Sequence, residues 1–79
     1  MASFEVKLAR SAERELLAVP FPARRQLNQA ILRLRTEPTP EGARPIDGEG
    51  AYSWPVHGWR LLYNVDAEAR TVRLLAVVR

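Results

Sequence analysis

Between Glu37 and Gly50 the chain gathers three of its six prolines and three of its four glycines. Proline fixes φ and removes a backbone donor, and glycine raises the entropic cost of any fixed conformation. Neither a helix nor a central strand survives in such a stretch, so it reads as a connector. It divides the chain into a front part and a back part, and the apolar residues follow a different period in each.

In the front part, Phe4-Glu5-Val6-Lys7-Leu8 alternates apolar and polar, the signature of a half-buried strand. Ser11 is placed to cap a helix, with Glu13 and Glu15 near its positive end. Ala12, Leu16, Leu17 and Val19 give that helix a short apolar face before Pro20 stops it. Pro22 suits the first turn of a second helix, where its missing N–H is not needed. Ala23, Leu27, Ala30, Ile31 and Leu34 then fall within a stripe roughly 100° wide, predicting an amphipathic helix that ends near Thr36. The Pro-Phe-Pro corner folds the two helices into a hairpin.

Beyond Gly50 the period is two. Tyr52, Trp54 and Val56 alternate with Ser53 and Pro55, and Trp59, Leu61, Tyr63 and Val65 alternate with Arg60, Leu62 and Asn64. Val72, Leu74, Ala76 and Val78 alternate with Arg73, Leu75, Val77 and Arg79. His57-Gly58 is a tight hairpin turn and Asp66 to Arg70 a longer one. The expectation is an α+β fold of order β-α-α-β-β-β over residues 1–79 as a single domain. Its sheet is mainly antiparallel, with the N-terminal helical hairpin on one face.

Composition narrows the chemistry. The 79 residues contain no cysteine and one histidine, His57, so no disulfide framework, no thiolate metal site and no metal or cofactor is expected. No apolar run reaches the ~18 residues of a membrane helix, and no signal peptide opens the chain, so a cytoplasmic protein without membrane contact is expected. The net charge is +3, and eleven of the twelve basic residues are arginine. Guanidinium groups fork onto phosphate, which suits nucleic acid; a genome rich in arginine codons gives the same bias.

If the inward sets face the helices, the uncovered sheet face displays Ser53, Pro55, Arg60, Asn64, Arg73 and Arg79. Those arginines either keep the face soluble or form a phosphate-reading surface. Trp54, Trp59 and Tyr63 alternate with the inward set and are assigned to the core.

These residues resemble the RelE/ParE superfamily, the toxins of type II toxin–antitoxin modules. FEVKLARSAERELLAVPFPARRQLNQAILRL is similar to the family's opening strand and helix pair. Pro38, Pro40, Gly42, Arg44, Gly48, Gly58, Trp59, Arg60 and Tyr63 sit at matching positions of its Pro-x-Pro, glycine and Gly-aromatic-Arg-aliphatic-aliphatic-Tyr stretch. VRLLAVVR is similar to its last core strand. The likeness spans nearly the whole chain and does not resolve the subfamily. It implies a RelE-like two-layer fold with the first strand beside the last. It also implies a cognate antitoxin that wraps the toxin in a hetero-oligomer.

RelE-type members cleave mRNA on the ribosome and so inhibit translation, whereas ParE-type members act on DNA gyrase. The resemblance therefore implies a metal-independent endoribonuclease, an mRNA interferase, with ribosome and mRNA as partners. The alternatives are a gyrase-directed toxin and a catalytically degenerate antitoxin-binding homologue. By position in the motifs, Arg60 would stabilise charge on phosphorus and Arg79 approximates the family's terminal arginine. The basic pair of the earlier strand is replaced here by Ser53 and Pro55. Cleavage by the 2′-hydroxyl also needs a proton acceptor, which arginine cannot be. Histidine is the side-chain type that titrates near neutrality, so His57 is either the replacement base or a plain turn residue. Arg44, Arg73 and Ser53 complete the expected RNA contacts.

Overall fold

Five strands and two helices form the two layers that the sequence predicts, with one strand more than expected. The computed structural model describes residues 3–48 and 50–79; Glu49, inside the expected connector, lies outside the described residues. In chain order the elements are β1 (Glu5–Leu8), α1 (Arg10–Ala18), α2 (Phe21–Arg33), β2 (Arg44–Pro45), β3 (Ala51–Val56), β4 (Trp59–Asp66) and β5 (Thr71–Val78). The sheet order is β1-β5-β4-β3-β2. β1 runs parallel to β5 and every other pairing is antiparallel. The added strand, β2, is two residues of the connector hydrogen-bonded to β3. Among the described residues no helix is long and apolar enough to cross a membrane.

Both helices end where proline or tight turns dictate. Val19, held extended at φ −73° and ψ 137° before Pro20, closes α1. α2 carries Pro22 in its first turn and is regular through Arg33, short of the expected Thr36. The amides of Leu34, Arg35 and Thr36 bond three residues back rather than four, tightening the last turn. Ser11 does not cap α1. The helix begins two residues earlier, with Ala9 in the cap position and no side-chain cap. The Ser11 hydroxyl instead donates to the Leu75 carbonyl at 3.1 Å.

The core lies between the helical hairpin and one sheet face. Ala12, Leu16 and Val19 from the first helix and its end meet Leu27, Ile31 and Leu34 from the second. Trp54, Val56, Leu61, Tyr63, Val72, Leu74 and Val77 rise from the sheet to meet them. The connector is held down from below. The fully buried Tyr63 donates its hydroxyl to the Pro38 carbonyl at 2.9 Å and stacks on Tyr52 at 5.7 Å. The His57-Gly58 turn has φ of +51° and +83°, the pair of left-handed conformations that matches the twist of flanking strands.

One irregularity changes which residues face where. Leu62 stands opposite Ala76 but Tyr63 stands opposite Leu74, so Leu75 is an extra residue in β5. A bulge of this kind advances the alternation by one position. Val77, expected outward, is therefore buried against the helices, and Ala76 and Val78, expected inward, lie on the uncovered face. The Arg79 expectation is corrected for the same reason: it follows Val78 and falls on the helix side of the sheet.

Candidate nucleic-acid interface

The uncovered face is best described by its cross-strand rows, because paired residues on one face stand about 5 Å apart. Arg44, Ser53, Leu62 and Ala76 form one row across β2, β3, β4 and β5. One step toward the His57-Gly58 turn, Pro55, Arg60 and Val78 form the next. One step the other way lie Ala51, Asn64, Arg73 and Lys7. Beyond them, at the far end, are Asp66, Thr71 and Glu5.

The four basic side chains of these rows, Arg44, Arg60, Arg73 and Lys7, are all exposed. They surround a floor of half-buried Leu62, Ala76 and Val78. Carboxylates appear only in the last row. The result is a basic field over the first three rows with an acidic border, an arrangement that attracts and orients a polyanion. Pro55 lies toward the outer edge of β3 beyond the two residues of β2, where a missing N–H breaks no ladder bond.

Arg60, Arg73 and Ser53 are thus brought to one face as expected, and the unexpected β2 adds Arg44 to it. Arg79 is not. Its guanidinium stands 4.7 Å from the centroid of the Trp59 ring, a cation–π contact. Trp59 pairs with Val56 and precedes Arg60, so the ring and the Arg60 side chain leave β4 on opposite faces. His57 is exposed in the turn. Together with Gln26, Gln29, Arg33 and Trp54 it lines a cavity of about 360 Å³ between α2 and β3, on the helix side. Lys7 is the basic residue that reading the sequence left out. Its signal was present, since it occupies a polar position of β1, but its register against Arg73 needs the β1–β5 pairing.

No protein-family model matches the sequence, and no curated protein is significantly similar to it. Solved structures are similar throughout. The toxin–antitoxin complex RelBE2 from Mycobacterium tuberculosis contains a chain 28% identical to this one, with a TM-score of 0.85 and 98% of each chain covered. The chain has the RelE/ParE fold. The archaeal RelE–RelB complex from Pyrococcus horikoshii shares the fold at 20% identity and a TM-score of 0.87, covering 99% of this chain and 94% of that one. So does a chromosomal ParDE system from P. aeruginosa, at 14% identity and a TM-score of 0.80, covering 100% of this chain and 98% of that one.

Within the RelE/ParE fold, the chemistry open to this face is specific. Guanidinium groups bind phosphate and stabilise added charge, but they do not exchange a proton near neutrality. Tyr63 supplies no acid or base either. Burial, and then the neighbouring Tyr52, push its phenol up to about 12, and its hydroxyl is engaged by Pro38. The face offers fixed positive charge and no group of its own that exchanges a proton near neutrality.

Proposed function

We propose that this single domain is the toxin of a type II toxin–antitoxin pair, acting in the cytoplasm as a ribosome-dependent endoribonuclease. Its partners on this reading are a cognate antitoxin, with which it forms a hetero-oligomer, and ribosome-bound mRNA. The observation that carries it is the exposed Arg60 standing with Arg44 and Arg73 on the uncovered face of a RelE/ParE fold.

On this reading Arg44, Arg73 and Ser53 hold the RNA backbone and Arg60 stabilises the charge that builds on phosphorus as the 2′-oxygen attacks. His57, three residues from Arg60 across the turn, takes the 2′-hydroxyl proton. It must swing from the helix side to do so. As the 2′-oxygen closes a 2′,3′-cyclic phosphate the P–O5′ bond breaks, and solvent water protonates the departing 5′-oxygen. A face poor in proton-transfer groups suits an activity in which the ribosome orients the RNA for in-line attack, since orientation alone lowers the barrier substantially. Arg79 must leave the Trp59 ring to reach the same phosphate, and no step is assigned to it.

A gyrase-directed toxin is the second reading, favoured by Ser53 and Pro55 where RelE-type members carry basic residues and by the likeness to the ParDE system. Induced expression with mapping of mRNA ends separates the two. Cuts within codons that disappear with Arg60→Ala support the nuclease. Filamentation and DNA damage with translation continuing support the gyrase reading and overturn the first.

A further inference from the structure

The lower corner of the uncovered face carries a group of side chains that phosphate binding does not explain. The β4–β5 register sets Asn64 opposite Arg73 and Asp66 opposite Thr71. These four line a cavity of about 330 Å³ with Leu75 as its apolar wall. Leu75 is the bulged residue and is left exposed by the extra position in β5. One Asp66 carboxylate oxygen accepts the Ala69 amide at 3.0 Å, which fixes the side chain and leaves the second oxygen for a ligand. Among the described residues, the Asn64 amide and the Arg73 guanidinium have no hydrogen-bond partner.

A carboxylate at this position repels phosphate, so the corner does not extend the backbone track above it. It does accept N–H groups, and Asn64 and Arg73 donate beside it. We propose that Asn64, Asp66 and Arg73 form a nucleobase subsite selective for guanine, with the base lying against Leu75. Guanine is the one standard base whose pairing edge presents two adjacent N–H donors next to a carbonyl acceptor. The free carboxylate oxygen accepts one donor, the oxygen bonded to Ala69 accepts the other through its second lone pair, and Asn64 donates to the carbonyl. Uracil would turn carbonyl oxygens toward Asp66, and adenine and cytosine each offer a single donor group beside an acceptor. Single-stranded RNA presents such edges unpaired, where side chains and apolar walls read them.

Asn64 is four residues along β4 from Arg60, roughly 13 Å at strand rise. The base read here therefore belongs to a nucleotide other than the one gripped at Arg60. The inference rests on the RNA reading of this face, but it concerns sequence choice rather than cleavage.

The test is equilibrium binding of the purified protein to labelled five-nucleotide RNAs at fixed low salt. The RNAs are uridines around a central guanosine, inosine or adenosine. Wild-type protein is expected to bind the guanosine RNA about tenfold or more tightly than the adenosine RNA. Inosine, which lacks the exocyclic amino donor, falls between. Asp66→Asn keeps an acceptor for Ala69 and should abolish the preference, with the adenosine RNA bound as well as before or more tightly because a charge that repels phosphate is gone. Arg73→Gln should weaken all three. Equal affinities in the wild type, no measurable binding, or a guanosine preference that survives Asp66→Asn overturns the subsite. Failure of the nuclease reading shows up separately, as uncut mRNA on expression.

Discussion

Glu15 in α1 accepts the backbone amide of Val77 at 2.8 Å, joining the first helix to the last strand across nearly the whole chain. β1 pairs with β5 only as far as Leu74, so beyond that point the β5 edge has no strand beside it. Ser11 and Glu15, one helical turn apart, take over. Ser11 donates to the Leu75 carbonyl and Glu15 receives the Val77 amide. Two side chains of α1 thus stand in for the missing strand and cover an edge that is otherwise a template for pairing with another chain.

Glu15→Ala should therefore destabilise the fold by about 1–3 kcal/mol, the cost of leaving a partly buried amide unpartnered. Glu15→Gln keeps an acceptor and should cost less than half as much. Urea unfolding monitored by circular dichroism measures both. Equal losses in the two variants would mean that the contact works through charge rather than through the hydrogen bond.

Tyr63 gives the stability a defined alkaline limit. Its folded-state pKa is raised to about 12 from the ordinary 10 by burial and by Tyr52. Between those values the folded state holds a proton that the unfolded state has lost, so stability falls as pH rises. The contribution is complete below pH 10 and is lost progressively toward pH 12, by roughly 2–3 kcal/mol in all. Tyr63→Phe should remove most of this dependence, at a cost near 1 kcal/mol at neutral pH for the orphaned Pro38 carbonyl. Unfolding free energies measured from pH 8 to about pH 12 in both proteins decide it; an unchanged slope in Tyr63→Phe would assign the loss to other groups.

Much of this architecture was legible in the sequence because local chemistry and tertiary packing agree. The Pro-Phe-Pro corner, the His57-Gly58 turn and the alternation of Tyr52 through Val56 each point to one structure, and the fold adopts it. The bulge was not legible. Leu74-Leu75-Ala76-Val77-Val78 is apolar at every position, so the sequence marks neither phase of the alternation. Only the packing of Val77 under α1 chooses one. Arg79 was misplaced for that reason alone, while Arg60 and Arg73, flanked by clear alternation, were placed correctly. β2 was missed because two residues carry no period.

Glycine substitution should separate a required glycine from a convenient one. Gly50 has φ +81°, and a Cβ there would lie 2.6 Å from the Val65 carbonyl oxygen. Its own carbonyl accepts the Val65 amide at 2.7 Å, so the backbone cannot retreat without losing that bond. Gly50→Ala should cost about 1–3 kcal/mol or more. Gly58 also has positive φ, at +83°, but has open space around it. Asparagine tolerates that conformation, and Gly58→Asn should cost under about 1 kcal/mol. Thermal unfolding of the two variants checks the ranking, with each kcal/mol worth roughly 4–8 °C in a domain of this size.

The separation of Arg60 from Arg79 makes a prediction about activity that motif matching alone would not. Arg60 matches a motif position of the resembling family and Arg79 approximates another, which would give their loss similar weight. Here Arg60 is exposed in the row of Pro55 and Val78, whereas Arg79 rests on Trp59 behind that row. A group that stabilises charge in the transition state typically contributes about 10²–10³-fold to rate. On the proposed nuclease function, Arg60→Ala should lower mRNA cleavage on expression by about that factor, and Arg60→Lys should recover part of it, since the charge remains but the fork is lost. Arg79→Ala should lower it by less than about tenfold, because the guanidinium must first leave its ring, giving up a contact of about 0.5–2 kcal/mol. Trp59→Leu, which keeps the apolar bulk but removes the ring face, then becomes the informative partner. If it raises cleavage in the wild type and not in Arg79→Ala, Arg79 is an arm held in reserve by the ring. If Arg79→Ala is as damaging as Arg60→Ala in a protein that still unfolds cooperatively, the two arginines act on one phosphate and the division of the faces does not govern the chemistry.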